Sequence, residues 1–178
     1  MTVSDIGTLN DQAQALLNIC EDALAATDAG APTNVYLDAS PPAVDCCPAL
    51  AIVALPLAED VTSPLTPSPA TALRTTLGNV IRVTYTIYAY RCAAVPQKNG
   101  QPPTPAEKTA VALTVQQDGW ALWNGVRQAV ANGLFGDTCL GVYFDPLRYL
   151  PAAGGCVGVV FQIRAQIDGI PNDGSGIF

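Results

Sequence analysis

Thirteen consecutive residues, Val80-Ile-Arg-Val-Thr-Tyr-Thr-Ile-Tyr-Ala-Tyr-Arg-Cys92, alternate in character along their whole length. Successive side chains of a strand point to opposite faces, so a period of two writes a strand and a helix would scatter the pattern. Ile81, Val83, Tyr85, Ile87 and Ala89 share one face, and Arg82, Thr84, Thr86, Tyr88 and Tyr90 the other. The span is well beyond the usual strand length. A strand this long with one apolar face predicts a sheet, and something must cover that face. The other face is polar but carries two tyrosines, and Tyr88 and Tyr90 read as a surface that meets another protein.

Two segments have the pattern needed to cover it. Over residues 5–27, Ile6, Leu9, Ala13, Leu16, Cys20 and Leu24 recur at three- and four-residue steps, which predicts a helix with one apolar stripe. Ser4 is its expected N-cap, and Gly30 and Pro32 stop it. The second helix opens at Thr104-Pro105-Ala-Glu107, a capping box with proline at the first helical position, and closes at Asn132-Gly133. Its main stripe is Val111, Val115, Leu122, Val126 and Val130, with Gly119 near the centre, where a missing side chain permits close approach to a sheet. Leu113 and Trp120, seven residues apart, project away from that stripe, with Trp123 between the two. Two readings fit: a helix packed under a loop as well as on a sheet, or a Trp120 at a subunit interface, where tryptophan is enriched.

Asn34–Leu37 predicts a short strand, and 45–55, nearly all apolar from Ala49, a buried strand or a buried helical turn. Residues 58–78, with Pro64, Pro67 and Pro69, read as a long loop and a candidate contact arm. After Gly136, 138–144 predicts strand, broken by Asp145-Pro146 and Leu150-Pro151 before a turn at 152–155. Residues 156–167 alternate again and give the last strong strand. The expectation is one α+β domain over 1–168, a mainly antiparallel sheet of four to five strands with both amphipathic helices on one face. Residues 169–178 are Gly-rich and read as a flexible tail, whose Ile177 and Phe178 make Phe178 a candidate arm on a neighbour.

Composition excludes much of the usual chemistry. There is no histidine, which removes Ser-His-Asp and Cys-His nucleophiles and histidine bases. Phosphate-cradling glycine motifs are missing as well. Six cysteines without a Cys-x-x-Cys pair read as reduced, mostly buried thiols, and the adjacent Cys46 and Cys47 are badly placed to hold one metal. The expectation is therefore no catalytic, cofactor or metal site. Only eight Lys and Arg against fifteen Asp and Glu, a net charge of −7, argue against a nucleic-acid-binding face. The first residues lack the pattern of a secretory signal, and no apolar run is long enough to span a bilayer, so a soluble protein made in a cytoplasm is expected.

Asp45-Cys-Cys, the strand end Tyr90-Arg-Cys92, then Pro96 and Asn-Gly-Gln-Pro-Pro-Thr-Pro105, then Asp118-Gly-Trp120, follow one another in an order that resembles the tail terminator proteins of long-tailed bacteriophages infecting actinobacteria. The resemblance covers roughly residues 1–168, and its specific part is 45–47 and 90–123. It implies a structural virion protein with the tail-terminator fold. Such a protein forms a six-fold ring that caps the tail tube and joins it to head-completion proteins, assembled in the host bacterial cytoplasm. DNA would pass its lumen without specific binding, and no membrane or cofactor would be involved. Trp120, Tyr88, Tyr90, Leu113 and Phe178 are the candidate interface residues. The rival readings are another neck or tail component (a head-completion protein or tube subunit), a cysteine-stapled secreted binding module, and a carboxylate-based enzyme.

Overall fold

The computed structural model describes residues 9–42, 48–57, 80–96, 100–137 and 139–168. In chain order the elements are α1 (Leu9–Ala25), β1 (Asn34–Asp38), β2 (Ala49–Leu57), β3 (Val80–Cys92), α2 (Pro105–Ala131), β4 (Cys139–Phe144), β5 (Arg148–Ala153) and β6 (Cys156–Asp168). The expected Ser4 cap, the Cys46-Cys47 pair, the 58–78 arm and the segment holding Phe178 lie outside the described residues.

The long alternation becomes β3 over the span expected, and it is the spine of a mixed six-stranded sheet ordered β1-β2-β3-β6, with β4 and β5 both on the far side of β6. β3 pairs antiparallel with β2 over Ala49–Leu57 and with β6 along its whole length, from Val80 opposite Asp168 to Cys92 opposite Cys156. Only β1 and β2 run parallel. The apolar run from Ala49 is strand, and Ala49–Val53 is buried on both faces.

The expectation of four to five strands missed β5. Leu150-Pro151 was expected to break the chain, yet both residues lie within this strand. β4 pairs with the Ile163–Ile167 end of β6 and β5 with its Cys156–Val160 end, so the two are one edge strand interrupted by an arch at residues 145–147. The Asp145 N–H still donates to the Gln162 carbonyl at 2.9 Å, which keeps the arch on the sheet. Proline removes a ladder donor, and an edge strand, paired on one side only, tolerates that loss where the register shifts between Leu150 and Ala153. Gly154 and Gly155, at φ of 56° and 80°, close the β5–β6 hairpin in the two-residue turn whose twist matches its strands.

Both helices cover one face of the sheet. Ala13, Leu16, Cys20 and Leu24 of α1 and Val115, Leu122 and Val126 of α2 meet Val83, Tyr85, Ile87 and Ala89 of β3 and Phe161 and Ile163 of β6 in a single cluster. Each fully buried Leu, Ile or Phe there contributes roughly 1.5–3 kcal/mol relative to its exposed state. The Tyr85 hydroxyl donates to Gln12 Oε1 at 3.0 Å, which gives a buried amide and a buried phenol their partners. Its ring stacks on Phe135, 5.6 Å away. The capping box of α2 forms as read: Thr104 Oγ1 accepts from the Glu107 N–H at 3.2 Å, and Glu107 Oε2 accepts from the Thr104 N–H at 2.7 Å. Gly133 (φ 86°) follows its last turn.

The opposite face of the sheet departs from expectation. Tyr90 is only 6% exposed, and Tyr88 is half-buried, so neither stands out into solvent. In register, Tyr90 lies between Ala49 and Gly158 and Tyr88 between Ala51 and Val160, and the face they share is closed rather than open, with Ala49, Ala51, Thr86 and Val160 all buried. The two rings stack at 6.3 Å and 8°. Burial, then Tyr88 and Tyr36 nearby, push the Tyr90 hydroxyl above its ordinary range. The cysteines also depart from expectation: Cys20 is a buried thiol, as read, but Cys156 is disulfide-bonded.

Candidate protein interface

One turn of α2, residues 117–120, is held from three directions. Asp118 points inward, three residues after Val115 and four before Leu122, on the buried stripe. Arg91, which shares the apolar face of β3 with Ala89, meets it there. Arg91 Nε donates to Asp118 Oδ2 at 2.6 Å and Nη2 to Oδ1 at 3.0 Å, a bidentate fork. Arg91 Nη2 also donates to the Gly30 carbonyl at 2.7 Å, and the Thr27 hydroxyl donates to Asp118 Oδ1 at 3.3 Å. The loop after α1 is thus tied to both the strand end and the helix. Gln117 adds a surface tie, its Nε2 donating to Asp28 Oδ2 at 3.2 Å.

Gly119 faces the arch. A Cβ built on it would lie 3.1 Å from Leu147 Cδ1 and 3.3 Å from Val159 Cγ1, so the missing side chain is what seats Leu147 against the helix. This is the close approach read from the sequence, made by an arch as well as by a strand. Trp123, one turn on, packs edge-to-face with Phe144 at 5.4 Å and Phe161 at 5.8 Å. It belongs to the core. Trp120 does not: it is 69% exposed.

Between this turn and the sheet edge runs a groove of about 610 Å³. Gln116, Gln117, Trp120 and Trp123 form its helix wall, and Pro146 and Tyr149 its strand wall, over a floor of Gly119 and Leu147. Tyr149 is 55% exposed. No lining residue is charged. The site offers aromatic surface to be desolvated and two amides to hydrogen-bond, which is the chemistry of an anchor pocket in a protein interface.

Of the candidate residues, Leu113 lies on the same outer stripe as Trp120, two helical turns earlier, and is 56% exposed. Tyr88 and Tyr90 sit on the opposite face of the sheet and are not brought to this site, and Phe178 lies outside the described residues. On α2 an arch packs at Gly119, in line with the reading of a helix packed under a loop as well as on the sheet, while Trp120 beside it stays exposed. Tyr149 and the arch were missed. A tyrosine set between two prolines, Pro146 and Pro151, was the available signal for an edge segment. The Arg91–Asp118 pair was missed too, although each residue occupies an apolar position of its element.

Among the described residues, no three His, Cys, Asp or Glu side chains cluster closely enough to hold a metal ion, and no helix is long and apolar enough to cross a membrane. The chain matches no protein-family model and no curated protein.

Proposed function

We propose that this chain is a structural, non-enzymatic subunit that assembles head-to-tail into a ring, and that the ring is the tail terminator of a long-tailed bacteriophage, capping the tail tube and joining it to the head. The observation that carries the assembly reading is Trp120, a large aromatic left 69% exposed beside an uncharged groove, with Leu113 and Tyr149 exposed on the same side. Tryptophan at such a position dominates interfaces when buried by a partner. The tail-terminator reading draws on the segments that carry the resemblance. Tyr90-Arg-Cys92 and Asp118-Gly-Trp120, separated in sequence, meet through the Arg91–Asp118 fork, and Gly119 and Trp120 of the second segment line the groove. A net charge of −7 suits a lumen through which DNA slides without sticking.

The ring would bind the tail tube protein on one side and head-completion proteins on the other, and would reside in the virion. Imaging the purified chain tests the ring, and co-purification with tube or portal-proximal proteins tests its layer. A head-completion protein would go with the head side and a tube subunit would stack on itself. A cysteine-stapled secreted binding module is favoured over these only by the disulfide at Cys156. Counting thiols in the denatured chain separates them: six free thiols remove the stapled module.

A further inference from the structure

We propose that the groove between α2 and the β5 edge is the seat of residues 169–178 of a second copy, with Ile177 and Phe178 entering beside Trp120. This rests on the ring reading above and supplies its contact. The groove is lined by aromatic, aliphatic and amide groups and carries no charge, so its occupant must be largely apolar and need no ion pair. Residues 169–178, Gly-Ile-Pro-Asn-Asp-Gly-Ser-Gly-Ile-Phe, hold Ile170, Ile177 and Phe178 with one charged side chain, Asp173.

Position along β6 decides between the same copy and another. The segment begins after Asp168, which pairs with Val80 at one end of β6. The groove lies beside Gln162, held by Asp145, and Val159, opposite Tyr149. Val159 is nine residues back from Asp168, about 30 Å of strand. Ten residues at full extension span at most about 33–36 Å. The segment would also have to climb from the sheet to the helix layer. Docking on its own groove thus demands nearly complete extension of a stretch with three glycines, the residue type that loses most freedom on ordering. A neighbour's segment meets no such demand. Donor and acceptor then stand towards opposite ends of one strand, the unlike patches a head-to-tail ring requires.

The test uses two full-length variants. Ile177→Ser/Phe178→Ser removes the donor, and Trp120→Ser removes the acceptor without touching the core. Light scattering is expected to find the parent assembled and each variant monomeric. An equimolar mixture of the two variants is expected to give species of twice the monomer mass and nothing larger, because each pair retains one intact contact. Circular dichroism verifies that both variants are folded. An assembled donor variant alongside an assembled parent would overturn this inference and leave the ring reading standing. So would a mixture that stays monomeric. A monomeric parent would remove both.

Discussion

Arg91 and Asp118 stand 27 residues apart in sequence and face each other as a bidentate pair, with Nε to Oδ2 at 2.6 Å and Nη2 to Oδ1 at 3.0 Å, at 8% and 2% exposure. A buried fork of this kind adds little net stability over an apolar replacement, but breaking it strands a charge. Asp118→Ala is therefore expected to cost about 3–5 kcal/mol in urea unfolding. The double variant Arg91→Met/Asp118→Leu should recover most of that loss. A double variant whose cost equals the sum of the Arg91→Met and Asp118→Leu costs would show that the fork does not couple the two residues.

Glycine positions separate rigid from yielding neighbours. A Cβ at Gly158 would fall 2.1 Å from the Ala89 carbonyl oxygen, which is strand backbone, whereas one at Gly119 meets the flexible end of Leu147 at 3.1 Å. Gly158→Ala should cost several kcal/mol, at or above the ~1–3 kcal/mol usual for overpacking, and Gly119→Ala should fall at or below its low end. Thermal unfolding of the two variants gives the order. A Gly119→Ala protein less stable than Gly158→Ala would contradict it.

Stability should fall in alkali. Burial raises the ionisation of both Tyr85 and Cys20 above their ordinary ranges. A group whose folded value is raised keeps its proton in the native state while the unfolded chain loses it, so its contribution is complete below the unfolded value and declines above it. The decline should begin near pH 8.5–9 for Cys20 and near pH 10 for Tyr85. Tyr85→Phe should flatten the upper part of the stability curve measured by urea titration across that range. An unchanged slope would argue that Tyr85 is not protected.

The cap of α2 makes a separate prediction. The backbone and then the side chain of Thr104 hold the Glu107 carboxyl below its ordinary value. Thr104→Ala removes the hydroxyl bond and keeps the backbone N–H bond, so the Glu107 titration, followed by NMR of its side-chain carboxyl, should rise only part of the way back to its ordinary value. The sign follows from the lowered value: the contribution is present above the unfolded value and is lost as pH falls through the folded one.

Local patterning was enough to read most of this fold. Val80–Cys92 emerged with its bounds intact because period-two alternation is a property of the backbone itself. The capping box at Thr104 and the glycine after Asn132 bounded α2 for the same reason. What escaped was non-local. β5 was hidden by Pro151, which is tolerated only because this strand lies at an edge, a fact of topology rather than of local sequence. Tyr88 and Tyr90 looked exposed because alternation assigns a face and does not say whether that face is covered, and here Ala49, Ala51 and Val160 beside them are buried as well. The site was half legible. Trp120 was marked by its angle away from the α2 stripe, but the Pro146–Tyr149 wall opposite it comes from a segment that reads only as broken strand.

The most direct measurement is the solution mass of the full chain by light scattering across a dilution series. A subunit built to form a ring with its neighbours should give a discrete species of about six times 18.4 kDa that images as a closed ring, and Trp120→Ala should shift it towards monomer. A parent chain that stays at 18.4 kDa at every concentration would contradict the account.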